Sequence, residues 1–200
     1  MSGGPALGKR ERTKQANRAA ILEAARVVFA ELGFGAASVR DIVRRTDLAT
    51  GTFYNYFPDK ESVLRALVEE SGDEARARVR AARREGATLE SFVGEGFRAY
   101  FAYLLEDRDM ADLLRRNAGT IRTMYDEPSV LAGTAELEED LRDGIAAGVV
   151  PEHDTGLMAA AMVGAALEAG TRVLEGESSV DDATELLASV FVAGLRALGR

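Results

Sequence analysis

Residues 38–65 read SVRDIVRRTDLATGTFYNYFPDKESVLR, and this stretch decides the fold. Ser38, followed at the third position by Asp41, forms a capping-box pattern that opens a short helix over Val39–Thr46. Asp47 occupies the turn after it, where its side chain tolerates a left-handed backbone. A second helix spans Thr50–Phe57. Pro58 ends it, and Asp59 caps a long third helix from Lys60 to about Arg84. Val39, Ile42 and Val43 make the buried stripe of the first helix, which leaves Arg40 and Arg44 on one exposed face. Leu48, Phe53 and Phe57 pin the second helix to a core, so Thr50, Thr52, Asn55 and Tyr56 face outward. Hydroxyls and an amide stand where a packed helix carries leucines. Such a surface, backed by arginines, is suited to the major groove of DNA. Asn can bond an adenine edge and Arg a guanine edge, while Thr and Tyr hydroxyls serve phosphates. Gly51 lets the backbone approach the duplex, and Lys60 is placed to reach a phosphate.

The charge distribution agrees once it is divided. Residues 1–67 hold 11 Lys/Arg against 7 Asp/Glu, and residues 68–200 hold 14 against 26, so a basic head sits on an acidic body within a net charge of -8. At 200 residues and 46% hydrophobic content the chain can bury a core of one or two domains. It has no cysteine, which excludes disulfides, thiolate nucleophiles and thiolate metal sites. His153, the single histidine, falls in a loop between Pro151 and Asp154, so neither a metal site nor a serine–histidine triad has a candidate. No enzyme activity, cofactor or metal is expected. The longest uncharged run of the C-terminal part, Thr155–Leu167, has 13 residues. That is short of the roughly 20 a membrane span needs, and the expected location is the cytoplasm.

Residues 50–60, Thr50-Gly51-Thr52-Phe53-Tyr54-Asn55-Tyr56-Phe57-Pro58-Asp59-Lys60, resemble the signature of TetR-type one-component transcriptional regulators. The apolar Ile21–Phe34 segment and the Ser38–Thr46 helix match it too, and the resemblance covers residues 14–66. It implies an all-α chain: a three-helix, helix-turn-helix head over 14–66 joined to a larger helical ligand-binding and dimerisation domain over 67–200. It also implies a double-stranded DNA operator, a small-molecule inducer and a homodimer as partners. Carried over by position, Arg40 is a base or phosphate contact. Thr50, Gly51, Thr52 and Asn55 are base-proximal, and Tyr54, Tyr56 and Lys60 are phosphate contacts. Ser38 and Arg44 complete the candidate DNA-binding set. The turn departs from the family's usual Ala-Gly-Val-Ser, reading Thr46-Asp47-Leu48-Ala49, and Ala49 lacks the hydroxyl that often caps the recognition helix. Residues 1–13 are either disordered or a basic arm that adds phosphate or minor-groove contacts.

Beyond Gly86 the spacing predicts helices at roughly 88–106, 109–124, 129–148, 154–175 and 180–198, with Gly119 a possible interruption of the second. Alanines and glycines crowd Met158–Gly170, and the last helix is apolar over a wide arc. Those faces exceed what one body buries, which suggests a four-helix dimer interface including Ala161, Ala165, Leu187, Phe191 and Leu195. Phe97, Tyr100, Phe101 and Leu104 share one face of one helix. Leu113, Leu114, Asn117, Ile121 and Met124 recur on the next, where Met158 and Met162 could meet them. This is either ordinary core or the lining of an apolar ligand pocket, with Asn117 orienting the ligand. Arg98 and Arg122 are candidates for an acidic ligand group. A repressor released from a palindromic operator by a mostly apolar molecule is the expected function; an all-helical protein–protein adaptor is the alternative.

Overall fold

Ile21, Leu22, Ala25, Val28 and Phe29 fall on one face of the first helix, α1 (Lys9–Leu32), and all five are buried. A computed structural model of the chain describes residues 8–123 and 128–198, and every regular element among them is helical. Helix α1 begins at Lys9, so residues 9–13 extend it rather than forming a loose segment. Across it lie α2 (Val39–Val43) and α3 (Thr50–Tyr54), followed by the long α4 (Lys60–Glu85). The capping box forms as the sequence requires: Ser38 Oγ accepts the Asp41 N–H at 3.3 Å, and the Asp41 carboxylate accepts the Ser38 N–H at 3.0 Å. Asp59 caps α4 by accepting the Ser62 N–H at 2.7 Å.

The turn between α2 and α3 differs from expectation. No non-glycine residue among those described has a positive φ, so Asp47 is not left-handed. Thr46 makes the turn instead. Its Oγ1 donates to the Val43 carbonyl at 2.9 Å and accepts the Leu48 N–H at 3.2 Å, a side-chain mimic of a backbone turn.

The body comprises α5 (Leu89–Glu106), α6 (Arg108–Arg116), α7 (Ala118–Arg122), α8 (Pro128–Ala146), α9 (Thr155–Glu175) and α10 (Val180–Leu198). The expected 109–124 helix is broken at Asn117, whose φ of -109° and ψ of 13° leave the helical region, and not at Gly119. Helix α5 packs on α4 and α10, and α8 on α9 and α4. Phe92, Phe101, Leu141 and Leu195 form the centre of the body's core. The head does not close its own core, because Leu113 of α6 is fully buried among Ile21, Phe29 and Leu64. Burying a leucine contributes about 1.5–3 kcal/mol, so α6 is a structural part of the head as well as of the body.

Helix α9 is longer and more apolar than its uncharged run alone suggests, as core helices of soluble proteins can also be. Its 21 residues include an 18-residue window of mean hydropathy 1.4, apolar enough to cross a membrane, and only 22% of that window is buried. Ala159, Met162, Gly170 and Val173 face the core, while Leu157, Ala160, Ala161 and Gly164 face outward.

Candidate nucleic-acid interface and internal cavity

Helix α3 projects its polar residues because Phe53 and Phe57 anchor its other side in the head core. Thr50, Gly51, Tyr54 and Asn55 are exposed, and Thr52 is half-buried. Space is open around Gly51, where a Cβ would meet nothing within 4 Å. Ala49, the N-cap, makes no side-chain cap, so the first N–H groups of α3 lack an internal acceptor. Arg40 and Arg44 are exposed beside this face, whereas Arg45 is paired with Glu31. Ser38 is exposed, but its hydroxyl is engaged with Asp41. Tyr56 is half-buried, its hydroxyl accepting from Asn17 Nδ2 at 3.1 Å.

Lys60 departs from its expected role. Its ammonium turns inward, donating to the carbonyls of Phe34 at 2.7 Å and Ala37 at 2.9 Å, and it lies 4.4 Å from the centroid of the Phe34 ring. A lysine with two carbonyl acceptors and a cation–π contact is an internal brace of the head, not a phosphate contact.

A cavity of about 250 Å³ lies in the body, bounded by α4 to α9. Phe97, Tyr100, Leu104, Leu114, Ile121 and Met162 line it, as the sequence reading expects of them. Four other expected residues do not. Phe101 and Leu113 are buried in packed cores, Met158 lies against the body's core, and Asn117 faces the head. Met124 and the side chain of Arg122 lie outside the described residues. Arg98 stands on the surface, paired with Asp181 at 2.6 Å.

The polar groups of the cavity wall are mostly already engaged. Ser71 Oγ and Tyr103 Oη share a hydrogen bond at 3.1 Å, and burial pushes the Tyr103 phenol above its usual pKa, so it stays neutral. Arg76 pairs with Asp73 and Glu136, Arg115 with Asp112, and Arg83 with Asp140. Arg83 and Asp140 are buried, and both Nε and Nη2 of Arg83 donate to one carboxylate oxygen at 3.0 and 2.6 Å.

The interface candidates divide. Leu195 is fully buried inside the protomer and is core, a correction to its place at the interface. Leu187 and Phe191 are half-buried against the body's core, with Phe191 5.7 Å from Phe97. Ala165 is half-buried and Ala161 exposed. The residues that do stand out are Leu157, Leu186 and Val190, each more than half exposed.

Comparison with known proteins begins at the head. The family model for bacterial regulatory proteins of the tetR family matches residues 21–67. The HTH-type transcriptional regulator UidR of Escherichia coli (strain K12) is 38% identical over 66 residues, covering 33% of this chain and 34% of UidR. A TetR-family regulator from Pectobacterium atrosepticum is 26% identical with a TM-score of 0.74, over 96% of this chain and 97% of that one. The head, residues 21–67, is thus of the tetR type. The match to UidR spans about a third of that protein's length. FadR from Bacillus subtilis, solved in complex with stearoyl-CoA, shares the fold at 24% identity and a TM-score of 0.73, over 88% of this chain and 98% of FadR.

The wall residues that the sequence did not reveal lie on every bounding helix, and α4 contributes several, including Val68, Ala75 and Val79. Their signal is weak, because a long helix rich in arginine reads as a wet surface. Gly170 is a further omission: a Cβ there would lie 2.8 Å from Leu104 Cδ1 and 3.1 Å from Tyr100 Cε1. The glycine row of α9 thus serves the interior at this point, where the sequence suggested an interface.

Proposed function

We propose that the chain is a ligand-responsive transcriptional regulator, a cytoplasmic homodimer whose two heads read related half-sites of a palindromic duplex. In this reading it is a repressor released by a small, mostly apolar molecule, and not an enzyme. The observation that carries the proposal is α3: a short helix with an exposed Thr50-Gly51 start and an exposed Asn55, flanked by exposed arginines and fixed from behind by buried phenylalanines. A protein–protein adaptor would be expected to present an apolar face there, and α3 presents none beyond Tyr54.

The ligand proposal rests on the cavity of about 250 Å³ and the chemistry of its wall. The arginines of the wall already face carboxylates, so a charged ligand gains little, and an uncharged apolar molecule carrying one hydrogen-bonding group suits Ser71 and Tyr103. FadR with its stearoyl-CoA supports the idea that this fold can hold an apolar chain. The dimer proposal rests on Leu157, Leu186 and Val190, together with Gly164 and Gly194, around which space is open for a second pair of helices.

The test is titration of the full chain against labelled duplexes over a range of salt. Binding that weakens steeply with salt, and that neutral apolar compounds abolish, is the expected result. Binding that no compound filling the cavity affects would remove the ligand half of the proposal and leave the DNA half standing.

A further inference from the structure

Asn117 is buried at the break between α6 and α7, and its side chain points away from the cavity into the seam with the head. Its Nδ2 donates to the carbonyls of Phe29 at 3.2 Å and Leu113 at 2.7 Å, and its Oδ1 accepts the Phe34 N–H at 2.6 Å. The need for this amide arises at the end of α1. Gly33 has φ 76° and ψ 155°, not the left-handed pair that would fold the next N–H back onto the helix's own carbonyls. The Phe34 N–H is directed outward, and the body supplies its acceptor across 83 residues of sequence.

The neighbours of Asn117 face both ways. Leu114, Ala118 and Ile121 line the cavity, while Leu113 fills the head core. The segment α6–α7 is therefore a partition with the cavity on one side and α1 on the other. From α1 the chain passes through the turn that Lys60 braces, by bonds to the carbonyls of Phe34 and Ala37, and reaches Ser38, the N-cap of α2. Helix α2 carries Arg40.

We infer that Asn117 is a positioning residue that couples the cavity to the DNA-reading helices through the end of α1, a route distinct from the continuous helix α4. The inference rests on the ligand-responsive function proposed above. An occupant that displaces α7 displaces the Asn117 amide. The Phe34 N–H is only partly buried, but its 2.6 Å bond to the buried Asn117 amide is costly to break on both sides, so the Phe34 turn follows the amide instead of releasing it. The turn then re-aims α2 and, with it, Arg40.

The experiment is a double-mutant cycle on the full chain, with Ala166→Phe as a built-in occupant because Ala166 lines the cavity on α9. Affinity is measured for the duplex that the wild-type protein selects from a random pool. In the wild-type background Ala166→Phe is expected to weaken that affinity by about tenfold or more, within the usual range of allosteric couplings. In the Asn117→Ala background the same substitution is expected to act by about twofold or less, since the two sites are then uncoupled. Amide exchange supplies the second readout: the Phe34 amide should keep its protection in Ala166→Phe and lose it in Asn117→Ala, while the Val28 and Leu64 amides keep theirs in both. Equal factors in both backgrounds would overturn the inference and leave Asn117 a structural cap. No effect of Ala166→Phe on duplex binding in the wild type would overturn the ligand-responsive function itself, and the inference with it. If the phenylalanine prevents folding, Ala166→Leu carries the same cycle.

Discussion

Asp140→Ala is expected to be among the most damaging single substitutions in the body. The Asp140 side chain is 2% exposed and that of Arg83 is 9% exposed, so truncation leaves a guanidinium buried without its acid. Arg80 also donates to Asp140, at 3.1 Å, but retains its exposed partner Glu139. Arg83 has no such second partner among the described residues, and it cannot swing out easily. Its stem packs against the Gly96 backbone so closely that a Cβ there would lie 2.9 Å from Cγ. Breaking a buried pair on one side costs about 3–5 kcal/mol, and the trapped stem argues for the upper half of that range. For a chain of this size that is a fall in Tm of roughly 6–20 °C. The assay is thermal and denaturant unfolding at fixed protein concentration, since a dimer's stability depends on it. Glu139→Ala, which removes an exposed partner, should cost about 0–1 kcal/mol and serves as the control. The double replacement Arg83→Met with Asp140→Leu should recover most of the loss, because no charge then stays buried. A stability for Asp140→Ala within about 1 kcal/mol of wild type, an ordinary mutational effect, would refute the reasoning.

Arg40→Ala and Asn55→Ala should each weaken binding to the preferred duplex by about 1–3 kcal/mol and relax specificity at one position, read by fluorescence anisotropy. Val190→Glu should place an unpaired carboxylate in the proposed dimer face and give monomers by sedimentation, with duplex binding lost although the head is untouched; an intact dimer would move the interface elsewhere. Lys60→Met removes hydrogen bonds from a cation to the carbonyls of Phe34 and Ala37, and should destabilise the head by about 1.5–3 kcal/mol in unfolding experiments. The Ser38 hydroxyl and backbone hold the Asp41 carboxyl below its usual pKa, and Ser62 does the same for Asp59. A depressed carboxyl contributes stability above its unfolded pKa and loses it as pH falls through the folded value. Thermal melts should therefore decline in acid below about pH 4, and the double variant Asp41→Asn, Asp59→Asn should lessen that decline.

The head was legible because its demands are local. Ser38 and Asp41 sit within one helical turn, and a recognition helix cannot hide Thr50 and Asn55 in a core. Asn117 was not legible as to role. An amide in an apolar row needs a partner, but the sequence does not reveal whether that partner is a ligand or the end of a helix 83 residues earlier. Lys60 failed for the same reason, since its acceptors are backbone carbonyls that carry no residue signature. On α10 the apolar arc is wide enough to serve two neighbours, so periodicity placed the helix but could not separate buried Leu195 from exposed Leu186. The pocket lining was read in part because α5 and α9 are plainly apolar, whereas α4 contributes through small and aliphatic residues set among arginines.

Selection of bound duplexes from a random pool by the full wild-type chain tests the central claim most directly. Enrichment of one sequence with two-fold symmetry is expected, its half-site centres about one helical turn of DNA apart or a multiple of it, as two related heads require. The same selection with Asn55→Ala should enrich a pool degenerate at the contacted position. A wild-type pool that stays random after repeated rounds, with no duplex bound above a scrambled control, would contradict the claim.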